Sequence, residues 1–147
     1  MITAENSEQA RREIEKKAKA GEKVIVRGRD AEFNRKILEN KKVNILVLNH
    51  TKGKDMLKER DSGLNQVLCK IAKDNDIVLA IDFNELKIED KKQRAKILSR
   101  IIQNIRLIKK HKNELIFINK PQDELSLSAL LRVLGADTKL AKNASES

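Results

Sequence analysis

Carboxylates and a histidine stand at the ends of apolar runs, where metal-dependent hydrolases of α/β folds place their ligands. His50 closes one such run, Asp82 and Glu85 close the next, and Asp30 and Asp61 follow others. Two or three carboxylates with water can hold a magnesium ion. The chain has only two histidines, however, and no dense cluster of ligand residues. We therefore expect these carboxylates to cap helices and solvate loops, and we expect no metal site in this chain.

Nucleophilic catalysis and phosphate cradling have little support in the sequence. Ser62 has no neighbouring histidine, and Ser99 lies within a predicted helix. The five glycines are isolated, so no glycine-rich phosphate loop is present. The segment 27–30 could offer backbone N–H groups to one phosphate, but a turn that ends in a helix cap is the simpler interpretation. His111 lies among lysines at a helix end, where a cation favours the helix dipole. We predict no catalytic residues.

The basic residues give a stronger indication of function than the candidate catalytic residues do. Lysine and arginine outnumber aspartate and glutamate by 32 to 22, which gives a net charge of +10 and favours polyanionic partners, nucleic acid first. Two groups of cations are the candidate RNA-binding residues: Lys52, Lys54, Lys58 and Arg60 in the connection 50–60, and Lys92, Lys96, Arg106 and Lys110 on one polar face of a helix, flanked by Arg100. A solvated surface is the alternative for such a face.

Aromatic residues are scarce. The chain has three phenylalanines and neither tyrosine nor tryptophan. Base recognition by stacking on aromatic platforms is therefore disfavoured, and RNA would be bound through phosphates, sugar hydroxyls and shape.

Cys69 is the single cysteine, which excludes a disulfide framework and a cysteine-based zinc site; we expect it in the core.

Four short runs rich in valine and isoleucine are predicted to be buried strands that position these groups: 23–28, 43–49, 76–83 and 114–119. Helical patterns lie between them, at 7–20, after Asp30, at 62–74, at 90–111 and from Asp123 to Gly135. Strict alternation predicts an α/β fold with a parallel sheet and helices outside. Periodicity alone leaves open whether the sheet is doubly wound or part of a barrel.

The helix predicted at 62–74 has a regular apolar stripe. Leu64, Val67, Leu68, Ile71 and Ala72 recur at helical spacing, and we expect them to face inward. Asp61 or Ser62 is the predicted N-cap. In the helix at 90–111 the inward residues are expected to be Leu98, Ile101, Ile102, Ile105 and Ile108.

Length and hydropathy predict one domain over residues 1–147, with a frayed start and a polar, frayed tail. No apolar run has membrane-spanning length, and the N-terminus does not resemble a signal peptide. We expect a cytoplasmic protein without a membrane partner.

Three segments carry a resemblance to a known family. Residues 60–72 read RDSGLNQVLCKIA, residues 94–100 read RAKILSR, and residues 129–135 read ALLRVLG. Their order and spacing resemble the archaeal ribonuclease P protein component 3 family, the thirty-kilodalton subunit shared with eukaryotes. The family motif residues are Arg60, Asp61, Ser62, Gly63, Leu64 and Asn65. Gln66 stands where the family usually has histidine, and the chain looks like a reduced or trimmed member.

The resemblance implies a TIM-barrel-like fold, here partial because four strands cannot close an eight-stranded barrel. It implies a protein subunit that supports removal of the 5′ leader from precursor tRNA by RNase P, an endonuclease whose RNA is the catalyst. The implied partners are RNase P RNA, precursor tRNA, component 2 and other RNase P proteins. Magnesium would belong to the RNA, and this chain would need no cofactor. Two alternatives stay open: a metal-dependent phosphoesterase of the related barrel hydrolases, and a generic basic RNA-binding adaptor.

Overall fold

A computed structural model describes residues 1–53, 55, 61–120, 124–135 and 138–146. The described strands form one parallel sheet in the order β1-β2-β3-β4, made of Ile25–Arg27, Ile45–Leu48, Val78–Asp82 and Leu115–Ile118. The helices are α1 Ser7–Lys19, α2 Ala31–Leu38, α3 Gln66–Asp74, α4 Lys91–His111, α5 Glu124–Val133 and α6 Thr138–Glu146, with a short 3₁₀ helix at Phe83–Lys87.

The architecture confirms the predicted α/β class with a parallel sheet. All four predicted strands and the helices at 7–20, after Asp30 and at 90–111 are present, each within a few residues of the predicted bounds. Strand order follows chain order, which is the arrangement of successive βα units in a TIM barrel. The four described strands correspond to part of that eight-stranded fold.

The main core lies between the sheet and the helices. On α4, Ile97, Ile101, Ile105 and Ile108 are fully buried, and they pack with Leu79 and Leu46 of the central strands. Burying such a side chain stabilises the fold by about 1.5–3 kcal/mol. Leu98 and Ile102, which were also expected inside, are half-buried. The opposite sheet face carries a smaller cluster around Ile45, Val47 and Ala80.

Helix α3 begins later than predicted. Gly63 has φ +72°, a left-handed conformation that interrupts a helix. Asn65, rather than Asp61 or Ser62, is the N-cap and accepts a hydrogen bond from the Leu68 N–H at 2.9 Å. Within α3 the buried residues are Leu68, Cys69 and Ala72. Leu64, just before the helix, is buried as predicted, and Ile71 packs half-buried against the core. Val67, predicted to face inward, is 57% exposed.

Residues near both ends of the described chain contribute to the fold. Ile2 is 1% exposed and forms a parallel bridge with Val26, so it covers part of the outer edge of β1. Residues 138–146 form α6, and Ala141 of this helix is buried in the core. The predicted helix start at Asp123 lies outside the described residues.

Candidate nucleic-acid interface and the polar network behind it

A buried polar network joins the carboxyl ends of the strands. Arg27, the last residue of β1, donates to Asp82 Oδ2 at 2.8 Å and to Glu85 Oε1 at 2.6 Å. Parallel strands bring their carboxyl ends to one edge of the sheet, which explains why residues so distant in sequence meet. The guanidinium therefore bridges two carboxylates from separate elements, an arrangement that arginine geometry favours.

His50 extends this network toward α4. Its Nδ1 atom lies 2.7 Å from Glu85 Oε2, and its Nε2 atom lies 2.9 Å from the Asn104 side-chain nitrogen. The same Asn104 nitrogen donates to the Ser62 carbonyl at 3.1 Å. Because that amide donates, the contacts fit the histidine tautomer that carries its proton on Nδ1. His50 is thus enclosed by protein groups on both ring nitrogens.

The Asp82 carboxylate is held in its ionised form. Burial raises the pKa of this carboxyl, but hydrogen bonds from the Asn119 amide, the Asn84 N–H and Arg27 together lower the pKa below its ordinary value. Asn119 follows β4, so three strands contribute to this one carboxylate environment.

These contacts decide what the carboxylates do. The oxygens of Asp82 and Glu85 are taken by Arg27, His50 and Asn119. Among the described residues, no three histidine, cysteine, aspartate or glutamate side chains form a group that could hold a metal ion. The arrangement is a structural ion-pair and hydrogen-bond network. It cross-links β1, the end of β2 and β3.

The other candidate carboxylates and glycines also have structural partners. Asp30 caps α2 by accepting from the Phe33 N–H at 2.8 Å. The N–H of Gly28 donates to Val47 O, and that of Arg29 donates to Asn34 Oδ1. The segment 27–30 is therefore a turn and cap.

Cys69 is fully buried, and burial raises the pKa of its thiol to about 12.

Two buried asparagines hold the family motif. Asn34 of α2 donates to Gly63 O at 2.8 Å, and Asn104 of α4 donates to Ser62 O. Gln103 donates to the Ser62 hydroxyl at 3.1 Å. The described part of the motif, residues 61–65, is thus anchored between α2 and α4 immediately before α3. These anchoring residues were not identified from the sequence, because their partners lie far away along the chain.

Among the candidate RNA-binding residues that the structure describes, Arg100 is the one placed in the interior. It was expected on the flank of the polar face of α4, but it is only 5% exposed. Its guanidinium donates to His50 O at 2.8 Å and forms an ion pair with Asp55. The reason is its position on the buried stripe, one turn from Ile97 and one turn from Asn104.

The remaining cations of α4 lie on the surface. Lys92, Lys96, Arg106 and Lys110 are exposed, as is Lys52 in the connection after β2. A shallow groove of about 470 Å³ lies at the C-terminal half of α4, and among these cations it is lined by Arg106 and Lys110, together with Gln66 and Gln103. Lys54, Lys58 and Arg60 lie outside the described residues.

Charge is segregated among the helices. On α1 and α2, and in the turn that follows α2, cations pair with neighbouring acids: Lys17 with Glu22, Arg35 with Glu39, Lys36 with Glu32 and Lys42 with Glu15. Between Lys91 and Asn113 the sequence contains no acidic residue. Within the described part of the chain, none of the four exposed α4 cations named above forms an ion pair. We name the surface of Lys92, Lys96, Arg106 and Lys110 the α4 basic face.

The family model described as RNase P subunit p30 matches residues 1–146. Among curated proteins, Ribonuclease P protein component 3 of Methanosarcina acetivorans is 32% identical over 111 residues, which are 76% of this chain and 44% of that protein. The Methanococcus maripaludis strain C7 protein of the same description is 24% identical over 128 residues, covering 87% of this chain and 53% of the relative. This chain therefore spans about half the length of these relatives.

A solved structure shows the same fold. A chain in a cryo-EM structure of archaeal ribonuclease P with mature tRNA superposes with a TM-score of 0.77. It is 24% identical to this chain, and the match covers 99% of this chain and 62% of that one. In the described part of the chain, no helix combines the length and the hydropathy needed to span a bilayer.

Proposed function

Because this chain belongs to the RNase P subunit p30 family, we propose that it is a protein subunit of ribonuclease P. Its role is to support removal of the 5′ leader from precursor tRNA in the cytoplasm. The RNA carries out the cleavage, and this chain contributes phosphate neutralisation and positioning. It is part of an endoribonuclease holoenzyme and is not itself the catalyst.

The observation that carries this proposal is the α4 basic face. Lys92, Lys96, Arg106 and Lys110 line one side of a helix that has no acidic residue along its length. A mixed, ion-paired surface such as that of α1 and α2 gains little from a polyanion, whereas lysines and arginines without acidic partners release bound counterions when they contact phosphates. Positive charge concentrated on one helix therefore supports RNA as the ligand of this surface.

A second surface is proposed in the connection that follows β2. Lys52 is exposed there, and Lys54, Lys58 and Arg60 follow it in the sequence. Loops after the strands of a TIM-barrel-like fold are the usual location of its functional groups. We assign phosphate contacts to these four residues and to the α4 basic face, and we assign Arg100 a supporting role instead.

Magnesium belongs to the catalytic RNA in this proposal. The carboxylates at the sheet edge already accept hydrogen bonds from Arg27 and His50. A cation bound there would have to displace a guanidinium from both Asp82 and Glu85. This geometry disfavours the alternative of a metal-dependent phosphoesterase.

The proposed partners are RNase P RNA, precursor tRNA and other RNase P proteins, with component 2 as the direct protein partner. The outer strands β1 and β4 end the sheet, and such edges favour association. The bridge from Ile2 covers only part of the β1 edge.

Reconstitution tests the proposal. RNase P RNA, component 2 and the other RNase P proteins are mixed with and without this chain, and cleavage of precursor tRNA is measured at fixed Mg²⁺. We expect the chain to increase correct 5′ processing. Equal cleavage without it would contradict the proposal. RNA that copurifies with the chain gives a second readout: RNase P RNA agrees with the proposal, and a different RNA supports the adaptor alternative.

A further inference from the structure

The cations of the α4 basic face fall into two groups along the helix. Lys92 and Lys96 form one group near the start of α4, and Arg106 and Lys110 form the other near its end. Lys96 and Arg106 are ten residues apart in the helix, which separates the two groups by about 15 Å along its axis. The face therefore carries positive charge at both ends and has a neutral centre.

Ser99 and Gln103 form this neutral centre and continue the same stripe of the helix. Gln66, the first residue of α3, is exposed and lines the same shallow groove as these two residues. The Gln103 Nε2 atom donates to the Ser62 hydroxyl at 3.1 Å, which fixes that side chain against the motif. The half-buried Ser99 hydroxyl donates to Ala95 O at 2.9 Å, so its oxygen keeps its capacity to accept. An amide and a hydroxyl oxygen thus lie between the two groups of cations.

The apolar lining of the groove is aliphatic. Ile102 and Leu107 line it, and both are half-buried. Neither α3 nor α4 contains phenylalanine, tyrosine or tryptophan, so unpaired bases would find no aromatic ring on which to stack. The groove is therefore better suited to the sugars of a nucleic-acid backbone than to exposed bases.

This arrangement matches one groove of double-stranded RNA. The minor groove of an A-form duplex is wide and shallow, lies between two phosphate backbones and displays 2′-hydroxyl groups, whereas the major groove is too deep and narrow for side chains to read. Cations at the two ends of the face suit the two backbones, and neutral hydrogen-bonding groups between them suit the hydroxyls. The sequence between Lys91 and Asn113 contains no acidic residue that would repel phosphates.

We propose that the α4 basic face and the neighbouring groove bind the minor groove of an A-form RNA duplex. The two groups of cations contact the two phosphate backbones, and Gln66 and Ser99 contact 2′-hydroxyl groups between them. The assignment of RNA as the ligand rests on the proposed function. This surface distinguishes paired RNA from DNA and from unpaired RNA, and it does so through shape and sugar hydroxyls rather than base sequence.

The experiment measures binding of the full chain to synthetic ligands that share one sequence: an RNA duplex, the same duplex with 2′-fluoro sugars, and a DNA duplex. The 2′-fluoro duplex keeps the A-form shape but lacks the hydroxyl. We expect the affinity to fall in that order. The slope of log affinity against log salt should be the same for the first two ligands, because their phosphate contacts are the same. Unpaired RNA should bind more weakly than the RNA duplex.

A double variant, Gln66→Ala with Ser99→Ala, tests the neutral centre. It should weaken binding of the RNA duplex by roughly two- to tenfold for each lost hydrogen bond. The salt slope should not change, since no charge is removed, and binding of the 2′-fluoro and DNA duplexes should be unaltered. Alanine is a strong helix former, so both helices are retained.

Gln93→Ala is the matched control. Gln93 is exposed near the start of α4, one turn before the buried Ile97, and it does not line the groove. Its replacement should leave the affinity for the RNA duplex unchanged.

The outcomes separate this inference from the proposed function. Equal affinity for the RNA and 2′-fluoro duplexes, tighter binding of unpaired RNA, or an equal loss in Gln93→Ala overturns the inference and leaves the proposed function standing. Loss of component 2 binding in the double variant, with duplex binding unchanged, assigns the groove to a protein partner and also overturns it. If none of these nucleic acids binds, the inference and the proposed role in RNA binding both fail. Reconstituted cleavage that does not need the chain, with the duplex preference retained, contradicts the proposed function alone.

Discussion

The Nδ1 atom of His50 lies 2.7 Å from Oε2 of Glu85, and both side chains are buried. The second carboxylate oxygen of Glu85 is taken by Arg27. This closed network predicts that the chain alone cleaves neither precursor tRNA nor simple phosphodiesters, with or without added Mg²⁺, Mn²⁺ or Zn²⁺. The measurement is product formation by purified protein. Metal-dependent turnover that His50→Ala abolishes would contradict this prediction.

RNA binding should depend strongly on salt. If about four to six phosphates are contacted, log affinity should fall with log salt at a slope of roughly −3 to −5. Replacing the four residues of the α4 basic face with glutamine should bring the slope closer to zero, because each lost phosphate contact reduces its magnitude by about one.

The chain offers a control for this change with the same residue types. Lys17, Arg35, Lys36 and Lys42 are three lysines and one arginine that form ion pairs with acids. Replacing them with glutamine removes the same charge but should leave the slope nearly unchanged. Equal flattening by both sets would show that net charge, rather than the α4 basic face, sets the affinity.

Gly63 should be far less tolerant of alanine than Gly21, although both have φ +72°. A Cβ at Gly63 would lie 2.9 Å from Arg29 O and from Asn34 Nδ2, whereas none of the surrounding atoms lies within 4 Å at Gly21. Gly21→Ala should cost about 1 kcal/mol through left-handed strain alone. Gly63→Ala should cost about 2–4 kcal/mol because the motif must also shift. Urea denaturation measures the free energy of unfolding of both variants. Equal decreases would mean that the structure adjusts easily to the added Cβ at position 63.

The lowered pKa of Asp82 makes stability sensitive to acid. A carboxyl whose pKa is lower in the folded state stabilises the fold above its unfolded pKa of about 4, and this stabilisation is lost as pH falls through the folded value. Asp82→Asn should cost about 3 kcal/mol at neutral pH, since it leaves Arg27 partly unpaired in a nearly buried site.

The acid sensitivity separates this effect from general destabilisation. We compare the free energy of unfolding at pH 5 and at pH 2, a range of about three pH units around the unfolded pKa. This free energy should change less in Asp82→Asn than in the unmodified chain. Asp74→Asn, an exposed change, should leave both the free energy and its pH dependence nearly unaltered. An identical acid profile in all three proteins would remove Asp82 from the explanation.

Component 2 should stabilise this chain. The sheet ends at β1 and β4, so the isolated chain is expected to self-associate or aggregate, and a partner that binds only the folded state should raise the melting temperature with its concentration. The measurement is a thermal melt of the chain alone and then in a titration with component 2. A sharp monomer transition that is independent of concentration and unmoved by component 2 would contradict this.

Periodicity predicted the strands and α4 because burial on one or both faces imposes a repeating apolar pattern. Ile97, Ile101, Ile105 and Ile108 recur at helical spacing whatever they contact. The late start of α3 was missed because Asp61 and Ser62 are as suitable for capping as Asn65. The choice depends on Gly63, whose left-handed conformation accompanies close contacts with Arg29 and Asn34, residues that lie far from it along the chain.

The polar network could not be derived from the spacing of residues along the sequence. Its members lie at the ends of the four described strands and on two helices. A signal was nevertheless present at Arg100 and Asn104. Both interrupt the isoleucine stripe of α4 at inward positions, and a polar residue there must find buried partners. Placing Arg100 on the flank of the polar face overlooked that inward position.

The sequential strand order also bears on how the chain reaches its fold. Ile25 pairs with Ile45, Ile45 with Val78, and Leu79 with Leu115, so every strand pairing closes a single βα unit. Loop-closure entropy grows with the length of chain enclosed, and contacts confined to adjacent units keep that length short for a parallel sheet. The sheet can therefore be assembled in the order in which a ribosome makes it, with β1 and β2 paired before α4 has been synthesised.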